Sequence, residues 1–136
     1  MSVEQNREIV RRWIDDVWTA GRLELIDELF SPDFEDHYTP PGGPPGREGI
    51  KYDVARIRAA FPDCVCRADD IICEGDRGAL RWSGVGTNTG ELSGRPAVGK
   101  RVTMSGTHFF CFRDGHIVER WAEFEVIGVM RQLGIA

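Results

Sequence analysis

The fold is decided by residues 102–125, whose sequence is VTMSGTHFFCFRDGHIVERWAEFE. Asp114-Gly115 lies between two stretches of alternating residues, and such a dipeptide is typical of the tight turn that joins two antiparallel strands. Counting outward from this turn gives three cross-strand pairs: Phe112 with Ile117, Phe110 with Glu119, and His108 with Trp121. The segment is therefore predicted to be a β-hairpin.

One face of this hairpin is predicted to carry a group of functional side chains. Residues two apart on a strand share a face, which places four side chains together: His108, Trp121, Glu123 and Glu125. The opposite face is apolar as well, through Phe109, Cys111 and Phe124. The alternation leaves open which face lines a cavity and which lies in a dimer interface. If the first face is exposed to solvent, Glu123 and Glu125 are surface charges and His108 is hydrogen-bonded to the backbone.

Helices are predicted in the first half of the chain. Ser2, with Gln5 three residues later, is a capping-box pattern. Trp13 and Val17 lie on the apolar stripe of the helix that follows, and Gly21 is typical of the residue just past a helix end. Two further helices are predicted at 23–30 and 50–61.

From residue 64 onward the apolar residues recur at every second position, which predicts strands. The predicted strands cover residues 65–73, 79–89, 100–112 and 116–127. Their connections are too short for parallel crossovers, so helices are followed by an antiparallel meander, an α+β arrangement. A curved sheet folded around the first helix would leave a conical cavity, with Trp13 and Val17 in its wall.

Composition limits the classes of partner. The 136 residues suit a single domain spanning 1–136. A net charge of −5, without any run of Lys or Arg, argues against nucleic acid and against an anionic membrane surface. No stretch approaches transmembrane length. The absence of an apolar N-terminal signal segment, together with four cysteines in strand-like segments, favours a reducing cytoplasm.

Cys64 and Cys66 would face the same way on a strand, which is compatible with a metal site, a disulfide or two small buried residues. The last interpretation is favoured because no second closely spaced pair of Cys or His completes a tetrahedral zinc site. The three histidines also lack metal-ligand spacing. No metal site is predicted.

Short motifs follow one another in a fixed order along the chain: Leu29-Phe30-Ser31-Pro32-Asp33-Phe34, Asp36-His37, Phe61-Pro62-Asp63, Glu74-Gly75-Asp76, Arg81-Trp82, Gly86-Thr87-Asn88-Thr89-Gly90, Asp114-Gly115-His116-Ile117-Val118-Glu119 and Trp121. This ordered set resembles the SnoaL-like polyketide cyclases of the nuclear transport factor two-like superfamily. The resemblance implies a cone-shaped α+β barrel, with three N-terminal helices packed in a curved antiparallel sheet. It also implies a homodimer and no metal or organic cofactor.

The resemblance implies a cofactor-independent acid/base enzyme acting on a hydrophobic carbonyl substrate, with intramolecular aldol ring closure as the reaction. It carries Glu125 over as the catalytic acid/base, and an apolar cone is expected to raise the pKa of such a carboxyl. His108 is expected to orient a carboxylate or to donate to the developing enolate oxygen. Substrate contacts are expected from Trp121, Glu123, His37, Trp13, Val17 and Phe110.

Two departures from the family pattern keep other functions open. The family often has Asp directly after the tryptophan and His in the Gly-Thr-His-x-Gly stretch, whereas this chain has Ala122 and Asn88. These differences favour a non-catalytic small-molecule-binding domain. A third alternative is a sibling isomerase or epoxide hydrolase, although the hairpin residues do not supply the Asp–Arg–Asp cluster that epoxide opening would need.

Overall fold

The computed structural model describes residues 2–38 and 42–135. Its α-helices are α1 (Val3–Arg12), α2 (Ile26–Leu29), α3 (Gly46–Ala60) and α4 (Val126–Gln132). Helix α1 continues as a π-helical segment (Trp13–Thr19), and a 3₁₀ turn (Leu23–Leu25) leads into α2. Its strands are β1 (Phe30–Asp36), β2 (Val65–Glu74), β3 (Arg77–Thr87), β4 (Arg101–Arg113) and β5 (His116–Phe124). The predicted α+β class is confirmed.

The five strands form one sheet in the order β1-β5-β4-β3-β2. Strand β1 runs parallel to β5, with Asp36 opposite Arg120, so the sheet is mixed and the expectation of a purely antiparallel sheet was wrong. The prediction missed β1 because it contains Pro32 among polar residues. An edge strand tolerates this composition, since only one of its sides needs backbone partners.

The first helix crosses the concave side of the sheet. Its capping box is confirmed: Ser2 Oγ accepts from the Gln5 backbone N–H, and the Gln5 side chain accepts from the Ser2 N–H. Gly21 has φ +75°, a conformation that glycine adopts without strain. Trp13 and Val17 are both fully buried.

A β-bulge in the closing hairpin overturns part of the predicted register. Phe112 pairs with Ile117 as predicted, but Cys111 pairs with Glu119, which leaves Val118 as an extra residue in β5. A one-residue shift exchanges the two faces of a strand. His108 therefore lies opposite Ala122, and Trp121 lies opposite Phe109 on the outer face, where Trp121 is 40% exposed.

The last strand is shorter than predicted. It ends at Phe124, and Glu125 is the N-cap of α4, with its side chain accepting a hydrogen bond from the Gly128 N–H. The helix is fastened to β4 because the Gln132 side chain accepts from the Thr103 N–H at 2.8 Å and donates to the Thr103 carbonyl at 2.9 Å. Glu125 is therefore not on the face of the hairpin with which it was grouped.

Within residues 2–38 and 42–135, no helix has both the length and the apolar character that crossing a bilayer requires.

Trp82 of β3 lies flat on the concave side of the sheet, where its ring covers Gly106 of the neighbouring strand. A Cβ at Gly106 would lie 2.8 Å from Trp82 Nε1 and 2.6 Å from the Glu123 carbonyl oxygen. Both distances are shorter than van der Waals contact, so glycine is needed here for the tryptophan to lie against the sheet.

We expect Gly106→Ala to lower the free energy of unfolding by about 1–3 kcal/mol, because the added methyl group clashes with backbone that cannot move independently. Urea unfolding followed by far-UV circular dichroism measures the change. Thr107→Ala, at the exposed neighbouring position, is the control and should have a smaller effect. Equal effects of the two variants would contradict the packing argument.

Candidate functional site

A cavity of about 160 Å³ lies between α3, α4 and the concave side of the sheet. Most of its wall is apolar and comes from Trp18, Ile57, Phe61, Leu92, Trp82, Met104, Phe124, Val126, Val129 and Met130. The other side chains in the wall are Tyr38, Asp53, Arg56, Ser105, Glu125, Cys64 and Cys66. An apolar cavity of roughly 150 Å³ accommodates a benzene-sized molecule.

Asp53 and Arg56, one turn apart on α3, form an ion pair in the cavity wall. Asp53 is 3% exposed, and its Oδ1 accepts a 2.7 Å hydrogen bond from Arg56 Nη2. Arg56 Nη1 donates to Ser93 Oγ at 2.9 Å, while the buried Arg56 Nε has no partner among the described residues. The guanidinium is thus held in place with one N–H group still unused.

Tyr38 lies next to this ion pair and completes what we call the polar end of the cavity: Tyr38, Asp53 and Arg56. Its ring contacts Phe124, with centroids 4.8 Å apart, and the Arg120 guanidinium lies over it at 5.7 Å. Burial, and then the negative charge of Asp53, raise the pKa of Tyr38 above its usual value of 10.0. At neutral pH the hydroxyl keeps its proton and can donate a hydrogen bond.

Glu125 lies at the rim of the cavity and not deep inside it, as its exposed side chain shows. Oε1 accepts a 3.0 Å hydrogen bond from the Gly128 N–H, which fixes the carboxylate at the start of α4. Among the described residues, no cationic side chain forms an ion pair with it. The carboxylate therefore keeps its capacity to accept a proton from a ligand.

His108 is buried behind the cavity wall. Its ring lies 6.5 Å from that of Trp82 and 5.8 Å from that of Phe124; these two residues line the cavity and His108 does not. Neither ring nitrogen has a hydrogen-bond partner within the described part of the chain. Burial, and then the charge of Arg120, lower the pKa of His108 well below 6.5, so the ring is neutral.

The other residues predicted for the site lie elsewhere. Trp13, Val17 and Phe110 are fully buried in the core and do not line the cavity. Glu123 faces the outer side of the sheet, where it lines a shallow groove together with Trp121. Of the predicted site residues, Glu125 alone is in the cavity wall.

His37 lies at the outer surface, stacked on Trp121 with ring centroids 4.4 Å apart. His37 Nε2 is 2.7 Å from Glu119 Oε2, and the ligand atoms of Glu35, His37 and Glu119 all lie within 4.8 Å of one another. These three are the described residues whose spacing would fit a metal ion. Exposed groups of this kind are common without a metal, and we assign no function to them.

Asn88, at which the sequence departs from the pattern that it resembles, has a structural role. It is 2% exposed, its Nδ2 donates to the Gly90 carbonyl at 2.9 Å, and its Oδ1 accepts from the Val98 N–H at 2.9 Å. The side chain therefore holds together the loop between β3 and β4 and is not available to a ligand.

Sequence reasoning missed the polar end of the cavity as a site. The signal that was present is Asp53, a carboxylate inside the apolar stripe of α3 that Ile50, Val54 and Ile57 define. A charged residue on the buried side of a helix needs a partner, and Arg56 one turn later supplies it.

A second ion pair lies deeper in the core. Arg120 donates from Nη2 to Asp36 Oδ2 at 2.8 Å and from Nε to Asp36 Oδ1 at 3.1 Å. The two side chains are 1% and 5% exposed. The guanidinium also lies over the Trp13 ring, at 5.9 Å. This pair joins β1 to β5 and supports Tyr38 from below.

We expect Arg120→Leu to lower the free energy of unfolding by about 3–5 kcal/mol, because it leaves the Asp36 carboxylate buried without a counter-charge. Urea unfolding measures the loss. The matched control is Arg113→Leu, which removes the exposed ion pair with Asp33 and should cost at most about 1 kcal/mol. The double variant Asp36→Leu/Arg120→Leu should be more stable than Arg120→Leu alone. A double variant that is less stable would contradict this account.

The depressed pKa of His108 makes stability depend on pH. The neutral His108 ring contributes fully to the free energy of unfolding above the unfolded-state histidine pKa of about 6.5. This contribution is lost as the pH falls towards the lower pKa that His108 has in the folded state. The drop in unfolding free energy between about pH 7 and about pH 5 should therefore be roughly 2 kcal/mol larger in the wild type than in His108→Phe. His37 and His116 are present in both proteins, so any contribution from them cancels in the comparison. Equal drops in the urea-unfolding free energy would exclude the neutral buried ring.

Comparisons with known proteins agree with this architecture. The family model of SnoaL-like polyketide cyclases matches residues 8–133. No curated protein matches the chain significantly. Among solved structures, TsrD from Streptomyces laurentii has 24% sequence identity, a TM-score of 0.89 and coverage of 100% of this chain and 99% of that one, which establishes the shared fold.

Two further structures are more similar in sequence. IdmH from Streptomyces antibioticus, a proposed polyketide cyclase, is 30% identical with a TM-score of 0.79, covering 96% of this chain and 99% of that one. AclR from Streptomyces galilaeus, a proposed hydroxylase, is 26% identical with a TM-score of 0.86, covering 99% of this chain and 88% of that one. The chain belongs to the SnoaL-like polyketide cyclase family.

Proposed function

We propose that this protein is a cofactor-independent acid/base enzyme that closes a ring in a hydrophobic carbonyl compound by an intramolecular aldol reaction. The observation that carries the proposal is the apolar cavity with hydrogen-bond donors at its polar end and a carboxylate, Glu125, at its rim. An aldol reaction needs a base for the proton next to a carbonyl and donors for the enolate oxygen.

Glu125 is the proposed base. Its carboxylate is oriented by the Gly128 N–H and has no cationic partner among the described residues, so its negative charge is available to take the proton. Asp53 is less suited to this task because Arg56 already holds its Oδ1 at 2.7 Å. Asp53 instead orients the guanidinium.

Tyr38 and Arg56 are the proposed donors to the enolate oxygen. The Tyr38 hydroxyl keeps its proton because burial raises its pKa, and Arg56 Nε is buried without a partner among the described residues. A donor that is fixed before the reaction does not need to reorganise when negative charge develops on the substrate. His108, as a neutral ring behind Trp82 and Phe124, is proposed to assist only when one of these side chains moves aside.

The size of the cavity favours a substrate with an aromatic or similarly flat ring. One such group fits beside the flat face of Trp82, with its carbonyl at the polar end. IdmH, whose proposed reaction is polyketide cyclisation, supports this class of substrate by its similarity. The outer face of the sheet, with exposed Phe109 and Trp121, is the proposed interface of a homodimer.

A non-catalytic binding domain is the second candidate. The observation that favours it is Ala122, which lies opposite His108 where the family often has a carboxylate. His108 then has no acidic partner to make it a general base. Epoxide hydrolysis has less support, because the Asp36–Arg120 pair does not line the cavity.

The proposal predicts that the protein exchanges the α-protons of a bound aryl ketone for deuterium. Propiophenone in D₂O is a suitable probe, and loss of its methylene signal in proton NMR measures the exchange. Glu125→Gln should slow the catalysed exchange by about 10²–10⁴-fold, since the base is lost while the shape of the side chain is kept. Binding, followed by tryptophan fluorescence, should change little.

Glu123→Gln is the matched control, because it removes the same charge two residues away on the outer face and should leave exchange intact. Asp53→Asn tests the other carboxylate. Exchange that survives in Glu125→Gln would overturn the assignment of Glu125. Binding of propiophenone without any exchange in the wild type would favour the non-catalytic binding domain.

A further inference from the structure

The cavity wall contains two thiols that the proposed reaction does not use. Cys64 and Cys66, which we call the thiol pair, are 3% and 6% exposed, and both line the cavity. The two side chains are close enough for each to affect the pKa of the other. The remaining cysteines, Cys73 and Cys111, are half-buried and lie outside this cavity.

Two glycines of β3 make room for the thiol pair. A Cβ at Gly84 would lie 2.9 Å from Cys66 Sγ, and one at Gly86 would lie 3.2 Å from Cys64 Cβ. A larger residue at Gly84 would contact the Cys66 sulfur, and one at Gly86 would contact Phe61 and Cys64. Gly84 therefore leaves room for the Cys66 sulfur, and Gly86 leaves room for the Cβ and backbone of Cys64.

Arg58 stabilises a negative charge on the Cys64 sulfur, whereas the Trp18 carbonyl, 3.8 Å from that sulfur, favours the protonated thiol. Arg58 Nη1 donates to Cys64 Sγ at 3.4 Å, and the same guanidinium nitrogen is fixed by the Thr19 carbonyl at 3.0 Å. The hydrogen bond from Cys66, aided by the charge of Arg58, lowers the pKa of Cys64 to about 7. The same contact and burial raise the pKa of Cys66. The two thiols thus differ in character, one a nucleophile and the other a hydrogen-bond donor.

We propose that Cys64 is a covalent attachment site for α,β-unsaturated carbonyl compounds held in the cavity, with Cys66 as the residue that positions and supports its sulfur. Two features select this class of ligand. The sulfur is reached through a mostly apolar cavity, which favours an apolar molecule of about one ring over a charged electrophile. A thiolate is also a soft nucleophile that adds readily to an electron-poor carbon–carbon double bond.

The reaction is the conjugate addition of the Cys64 thiol to the double bond, and it needs no external oxidant or reductant. A lone pair of the Cys64 sulfur forms the new bond to the β-carbon, and the π electrons of the double bond move towards the carbonyl to give an enolate. The α-carbon then takes up one proton, which replaces the proton that left the Cys64 thiol. The product is a thioether whose mass is that of protein plus the entire ligand.

Phenyl vinyl ketone tests this inference with the reduced wild-type protein. Intact mass spectrometry and peptide mapping should show one adduct, on Cys64, formed at least about tenfold faster than on Cys73 or Cys111, because a low-pKa thiolate in an apolar site reacts selectively. Propiophenone has the same shape without the double bond and should protect Cys64 when present in excess. In urea all four cysteines should react at similar rates.

Variants separate the nucleophile from its supporting residue. Cys64→Ser should abolish the fast adduct. Cys66→Ala should move the midpoint of the rate–pH profile to higher pH, and Cys66→Ser should restore most of it, since a hydroxyl also donates to the sulfur. Unfolding curves of each variant check that the fold is kept.

Labelling of Cys73 or Cys111 as fast as Cys64, or a failure of propiophenone to protect, would overturn the assignment. An unchanged pH midpoint in Cys66→Ala would overturn the role of Cys66. The labelling reaction involves neither Glu125 nor removal of a proton from a ketone. Selective labelling without deuterium exchange would therefore contradict the acid/base proposal alone, and exchange without selective labelling would contradict the thiol site alone.

Discussion

One extra residue in β5 decides which side chains of the closing hairpin face the core. Past Val118 the alternation is displaced by one position, so Arg120 faces inward and Trp121 outward. A guanidinium in a dry core is tolerated only when its charge is balanced and its N–H groups are bonded. Asp36, the register partner of Arg120 on β1, balances the charge and accepts hydrogen bonds from Nε and Nη2. The parallel pairing of the first and last strands therefore depends on this bulge.

The same ion pair determines where the cavity has its donors. Two residues after Asp36 the chain reaches Tyr38, whose ring lies between the Arg120 guanidinium and Phe124. Neither ion of the deeper pair lines the cavity, yet together they hold the tyrosine that does. Asp53 and Arg56 form a similar carboxylate–guanidinium ion pair on α3, and this pair lines the cavity itself. In both pairs the carboxylate neutralises an arginine, so the cavity contains oriented N–H and O–H groups inside an apolar wall.

Features with local determinants were predictable from the sequence. The capping box at Ser2, the end of the first helix at Gly21 and the turn at Asp114-Gly115 each depend on a few neighbouring residues, and all are present. The bulge decides whether Arg120, paired with Asp36, or Trp121 is buried. Because Asp36 is far away in the sequence, the local pattern of the hairpin does not show which of the two is preferred.

The cavity was harder to predict than the fold. Helix α4 was missed because Val126 and Ile127 continue an apolar strand-like pattern, and only the capping contact of Glu125 with Gly128 shows that the strand has ended. The wall residues come from segments as far apart as Trp18 and Met130, so alternation within one hairpin did not reveal which of its faces lines the cavity. Asp53 in the apolar stripe of α3 was the exception, a local anomaly that marked the site.

The edge strands of the sheet are β1 and β2, and each has one side with which a further strand could pair. Pro32 removes a backbone donor from β1, and an irregularity between Ala68 and Asp70 interrupts β2, whose exposed positions include Arg67 and Asp70. Interruptions and charges of this kind discourage open-ended growth of a sheet through added strands. The protein can thus present Phe109 and Trp121 on its broad face, the proposed dimer interface, while its edges disfavour the addition of further strands.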